Sequence, residues 1–150
     1  MLWIEKVAVV VLLTLVPGLE LRASIPAGIL WLNMDPATVL LLALISNILL
    51  GPLAFFLIGI IAQVVRRWVH IERLFKWLSR RAIKRASFSR KLGVTGIALF
   101  IAIPLPGSGS YSGAIVARAF RLNAREFCIA NTLGVTIAGI VVFLFTIKII

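Results

Sequence analysis

Between Ala37 and Ala62 the chain carries no charged side chain, and only Thr38, Ser46 and Asn47 are polar. About 20 helical residues cross the hydrocarbon core of a bilayer, so this run is long enough to span one. Residues 127–147 are uncharged as well, and residues 7–16 hold Thr14 as their single polar side chain. Charged residues make up 14% of the 150 residues, against about 25% in a soluble domain. The chain therefore reads as one all-α integral membrane domain, too short to hold a second, soluble one. The apolar N-terminus reads as mature chain and not as a leader. Glu5 precedes the first positive charge, Lys6, and no small-x-small site closes the run.

The formal net charge is +11, which on its own suits a nucleic-acid binder. The distribution points elsewhere. Ten of the 16 basic residues lie between Arg66 and Lys91, beside a membrane span, where anionic headgroups are the nearer partner. Trp68, Ile71, Phe75, Leu78 and Ala82 recur there at helical steps, with Arg66, Arg73, Lys76, Arg80 and Lys84 largely opposite. That pattern predicts an amphipathic helix in the interface plane; a connector packed on the protein's own surface is the alternative. Membrane lipids are the expected partners, and nucleic acid is not. A second copy of the chain is a further candidate, since so small a protein has little surface with which to bury polar breaks.

The remaining breaks organise the chain. Residues 3–16 predict a helix of about 21 Å, shorter than the roughly 30 Å core, ending at Pro17-Gly18. The charged stretch Leu19–Pro26 then reads as a turn, and apolar character returns at Ala27–Leu32. Asp35 caps a long helix that begins beside Pro36 and runs to about Val65, with a kink expected at Pro52. Gly93–Ile103 is again too short to span. It stops at Pro104-Leu105-Pro106-Gly107-Ser108-Gly109-Ser110-Tyr111-Ser112-Gly113, and the helix resumes over Ala114–Phe120. Asn123 and Glu126 have the spacing of a capping box for a last helix ending near Ile147.

Each half thus has a short apolar limb, a proline-containing break (Pro17 and Pro26; Pro104 and Pro106), a second short limb, a cap and a long span. Asn47 and Asn131 occupy matching places in the long spans. The expected fold is all-α and integral to the membrane. It has two inverted repeats, each a re-entrant helical hairpin plus one full transmembrane helix, joined by a basic interfacial helix. Residues 1–65 form the first repeat, 66–92 the connector and 93–150 the second repeat. The positive-inside rule puts the connector, with Arg118, Arg121 and Arg125, on the cytoplasmic side of the cell membrane and both termini outside.

Irregular backbone at membrane depth must be buried or line a cavity, and inverted repeats with broken helices are a transporter pattern. Glu20 is the leading candidate, because a carboxylate in hydrocarbon must be sheltered, paired or protonated. Balanced between desolvation and Arg22, it could exchange a coupling proton; alternatively a fixed Glu20–Arg22 pair only holds the hairpin. Arg22 could hold a phosphate through its fork of donors. Gly107, Ser108, Gly109, Ser110 and Tyr111 offer N–H and hydroxyl groups to an anion, or form a plain hinge. Arg118 reaches a cavity or anchors the cytoplasmic side. Asn47 and Asn131 bond to the hairpins or serve as helix–helix glue. His70 is the single histidine and Cys128 the single cysteine. This leaves no metal cluster, no expected cofactor and no supported catalytic triad, so an enzyme is not expected.

The stretches Glu20-Leu21-Arg22-Ala23-Ser24-Ile25-Pro26-Ala27-Gly28 and Pro104–Ala114 resemble the signatures of the small multidrug export protein family, a distant relative of the DedA superfamily. The resemblance covers nearly the whole chain. It implies two oppositely oriented re-entrant hairpins, and movement of lipid carriers such as polyprenyl phosphates or scrambling of phospholipids. It also implies an acidic residue in the first hairpin, matched by Glu20, and arginines near the second. Residues 99–110 hold no arginine, which leaves Arg22 and Arg118 as stand-ins. Three readings follow: a transporter or flippase for an anionic lipid or small solute, proton-coupled through Glu20; a passive scramblase; and a non-transporting scaffold.

Overall fold

The computed structural model describes residues 2–65, 89–105 and 107–149, which form helices and the turns between them. Helix α1 (Trp3–Leu15) stops where Pro17 cannot donate an N–H and Gly18 turns the backbone at φ 87°. Helix α2 (Glu20–Pro26) continues as a π-helical turn over Ala27–Trp31. The two limbs are antiparallel: the Thr14 and Ser24 hydroxyls meet at 2.8 Å near the tip, and Lys6 Nζ donates to the Leu32 carbonyl at 2.6 Å near the base.

The long helix α3 (Pro36–Val65) starts where the sequence predicts. Asp35 Oδ2 accepts the Thr38 N–H at 2.8 Å and the Thr38 hydroxyl at 2.8 Å. Helix α4 (Ser89–Ala102) leaves helical geometry at Gly93, and α5 (Ser110–Ala119) forms a second helical hairpin with it, Ile101 packing on Gly113. Helix α6 (Ala124–Ile149) opens with the expected box. The Asn123 N–H reaches Glu126 Oε2 at 2.8 Å, and the Glu126 N–H reaches Asn123 Oδ1 at 2.9 Å.

Three expectations are corrected. Leu19–Pro26 is not a turn. Leu21, Ser24, Ile25, Gly28 and Ile29 form one buried face at helical spacing, so only residues 16–19 turn and the charges begin the second limb. Pro26 accordingly does not break the hairpin. It lies inside the helix, where its missing N–H coincides with the change to π bonding, Leu32 N–H to Ala27 O at 3.0 Å. The second break is also shorter than expected, because the helix resumes at Ser110 and not at Ala114. Helix α3 runs on through Pro52, so the hydrogen-bond gap that this residue makes lies inside the helix. The expected amphipathic connector falls on residues 66–88, outside the described residues.

A polar seam runs through an otherwise apolar core, and apolar stripes cover the outside. Thr14, Glu20, Ser24, Asn47, Ser110 and Asn131 are buried, while Leu41, Ile45, Leu49 and Leu53 on α3 and Leu133, Ile137 and Leu144 on α6 face outward. In water the exposed stripes would form a large apolar patch; in lipid they need no partner. Helices α3 and α6 are the two described helices long and apolar enough to cross a membrane.

Candidate functional site

The two hairpin tips meet, and each satisfies backbone groups that the other's break leaves open. Glu20 is 4% exposed and opens α2 at φ 48°, a region that costs a side-chain-bearing residue about 1 kcal/mol. Its Oε2 accepts the backbone N–H of Ser110 at 3.0 Å and Asn47 Nδ2 at 3.4 Å. Ser110 Oγ donates to Asn47 Oδ1 at 2.8 Å, which closes a ring of three elements: α2, α3 and α5. The Ser110 N–H is one of the unpaired donors at the start of α5, so the carboxylate lies at the positive end of that helix. Gly109 permits this approach, since a Cβ there would strike the Glu20 carboxylate.

The place of Arg22 in α2 points its guanidinium at the turn that follows α4. It donates to the carbonyls of Ile103 (3.3 Å), Leu105 and Ser108, and to Ser108 Oγ at 3.0 Å. These carbonyls belong to the turn that follows α4, where Ser108 also donates to those of Ile103 and Leu105. Arg22 thus acts as a charged clamp on the second hairpin, with Glu20 near enough to act on it through its charge. In return, Tyr111 of α5 donates its hydroxyl to Leu15 O, at the end of α1, at 2.7 Å.

Glu20, Arg22, Asn47, Ser108, Gly109, Ser110 and Tyr111 therefore converge. Gly107 sits in the turn at φ 85° and is exposed, as are Pro17 and Pro104; Pro106 is outside the described residues. Arg118 and Asn131 bond elsewhere on α3. Arg118 donates through Nε and Nη2 to Phe55 O at 3.1 and 3.0 Å, and its guanidinium stacks over the Phe55 ring at 3.9 Å. Asn131 Nδ2 donates to Ile48 O at 3.4 Å. Sequence reasoning did not include Thr14 and Ser24, although a lone threonine in residues 7–16 is the kind of signal that marks an interhelical contact. Nor did it include the backbone acceptors Leu15, Ile103 and Phe55, whose side chains carry no sign of the role.

An apolar exterior around a polar seam, with two helices of spanning length, defines a membrane-embedded helical protein. Within that class, a family model described as "Putative small multi-drug export protein" matches residues 20–141. The chain belongs to this DedA-related family, and the match takes in both hairpin tips. Membership supports a general transport or flippase role and sets the chain among transport proteins, not enzymes. No curated protein and no solved structure matches it.

Proposed function

We propose that the protein is a DedA-like transporter or flippase for an anionic lipid of the polyprenyl-phosphate or phospholipid type, or for a small anionic solute, coupled to protons through Glu20. The observation that carries this reading is a buried carboxylate held at the junction of two chain breaks. Such a group is expensive to maintain in a membrane protein and marks a substrate or proton pathway. In this reading residues 1–65 and 93–150 are inverted repeats joined by the 66–92 connector. The hairpins re-enter from opposite faces, α3 and α6 each cross once, the connector is cytoplasmic and both termini lie outside.

The chemistry assigned to the site is exchange of partners. With Glu20 ionised, its carboxylate occupies the Ser110 N–H and Asn47 amide. When a proton neutralises it, the Ser110 N–H and the Asn47 amide are released to a phosphate group, and Arg22, Ser108 and Tyr111 stand beside them, each having to exchange a carbonyl partner to join. Asn131 and Arg118 hold α3 in place around the site. The test uses wild-type protein and Glu20→Gln in phosphatidylcholine–phosphatidylglycerol vesicles, with a fluorescent phosphatidylglycerol and a short-chain polyprenyl phosphate as probes. The coupled reading requires movement that responds to a pH gradient in the wild type and loses that response in Glu20→Gln. Equal exchange in both directions, indifferent to pH and to Glu20, identifies a scramblase instead; no movement of either probe leaves the scaffold.

A further inference from the structure

Helix α3 contains a point where its own hydrogen bonding fails. Pro52 has no N–H, so the Ile48 carbonyl one turn earlier loses its intrahelical donor. Asn131 of α6 supplies a replacement through Nδ2, at a long 3.4 Å. Gly51 makes the approach possible, because a Cβ there would strike the Asn131 amide. The other end of that amide is unmet: Asn131 Oδ1 is buried without a hydrogen-bond partner. A contact selected only to hold two helices together would be expected to satisfy both ends of a fully buried amide.

The failing turn is bracketed by two grips from one short helix. On one side Ser110 Oγ bonds Asn47; on the other Arg118 bonds the Phe55 carbonyl and covers its ring. Ser110 to Arg118 and Asn47 to Phe55 are the same number of residues apart, so α5 lies alongside α3 in parallel as a splint across Ile48–Pro52. A change of bend at Pro52 alters the distance from Asn47 to Phe55 while the straight splint keeps its length. One grip must then shift. The grip at Asn47 is the one that also holds Glu20.

We infer that Asn131 is a positioning residue: by occupying the carbonyl that Pro52 leaves open, it sets the bend of α3 and thereby whether Asn47 and Ser110 hold Glu20. The functional consequence rests on the proposed transport reading; the hinge itself does not.

A mutant cycle separates this role from plain packing. Asn131→Leu leaves the Ile48 carbonyl bare and lowers the thermal midpoint by about 2–4 °C, the effect of one lost buried hydrogen bond in a chain of this size. Pro52→Ala restores the intrahelical donor, so the double variant recovers that loss. Its rate of phosphatidylglycerol movement stays about tenfold below wild type, because the hinge is gone. Spin labels at Leu41→Cys and Ile60→Cys, both on exposed positions of α3 and in a Cys128→Ala background, read the bend directly. Two distance populations are expected with Pro52 present and one with Pro52→Ala. Additive stability losses, together with one unchanged distance in both proteins, would overturn the inference. Wild-type movement that survives Pro52→Ala but not Glu20→Gln would overturn the hinge and leave the transporter standing. If wild type moves neither probe, the transport reading fails, and the distances and the stability cycle still decide the hinge.

Discussion

The first hairpin brings charged side chains to the junction, and the second brings mainly backbone. Glu20 and Arg22 lie within three residues of each other on α2. What they contact is the Ser110 N–H, the carbonyls of Ile103, Leu105 and Ser108, and the Ser108 hydroxyl. Among the described residues, the side-chain traffic in the other direction is one neutral donor, Tyr111, to Leu15 O. Residues 99–110 carry no arginine of their own. The guanidinium is present at that turn but arrives from the opposite hairpin. The second break is rich in glycine and serine: Gly109 leaves room for a carboxylate, and bulk there would push the charged partner away.

The largest expected effect comes from removing the charged clamp. Arg22→Ala removes the charged donors to Ile103, Leu105 and Ser108 and leaves Glu20 without a neighbouring cation. Hydrogen bonds from charged groups contribute about 1.5–3 kcal/mol each, so a loss of at least about 3 kcal/mol is expected, seen as poor yield of folded protein and a lowered midpoint in detergent. Gly109→Ala comes next. Its Cβ meets the carboxylate, and overpacking of this kind costs about 1–3 kcal/mol; wild-type stability in this variant would show that Glu20 does not sit against Gly109. Tyr111→Phe removes one neutral hydrogen bond and should cost about 1 kcal/mol, visibly less than Arg22→Ala. If the two variants were equally damaging, the contrast between the hairpins would collapse.

The smallest effect belongs to Asp35, outside the junction. Bonds from the Thr38 N–H and hydroxyl hold its carboxyl below the usual carboxylate range. A depressed folded value means that its contribution is complete above the unfolded pKa of 3.8 and fades as pH falls through the folded one. Asp35→Asn should therefore lose this slight charge-dependent stabilisation at neutral pH and no longer show its fade below about pH 4, as thermal scans across that range would register.

What the sequence made legible is local. The Asp35 cap, the Asn123–Glu126 box and the two spans depend on residues within a few positions of one another, and each was found where expected. The convergence of Glu20 with the second break followed from a cost argument, since polar groups in hydrocarbon must shelter somewhere. The partners themselves were not readable. Arg22 ends on carbonyls 81 to 86 residues away, and a carbonyl has the same chemistry whatever residue bears it. Helicity over Glu20–Pro26 was hidden for a different reason. Two charges and a proline outweighed the buried spacing of Leu21, Ser24 and Ile25, which becomes decisive only once α1 and α3 are there to cover it.

The junction of the two hairpins depends on contact between the Glu20 carboxylate and the start of α5, and the Ser110 amide reports that contact directly. In ¹⁵N-labelled protein in bicelles, Glu20→Gln should move the amide resonances of Ser110 and Gly109. Perturbations confined to the neighbours of residue 20, with Ser110 and Gly109 unmoved, would contradict the account.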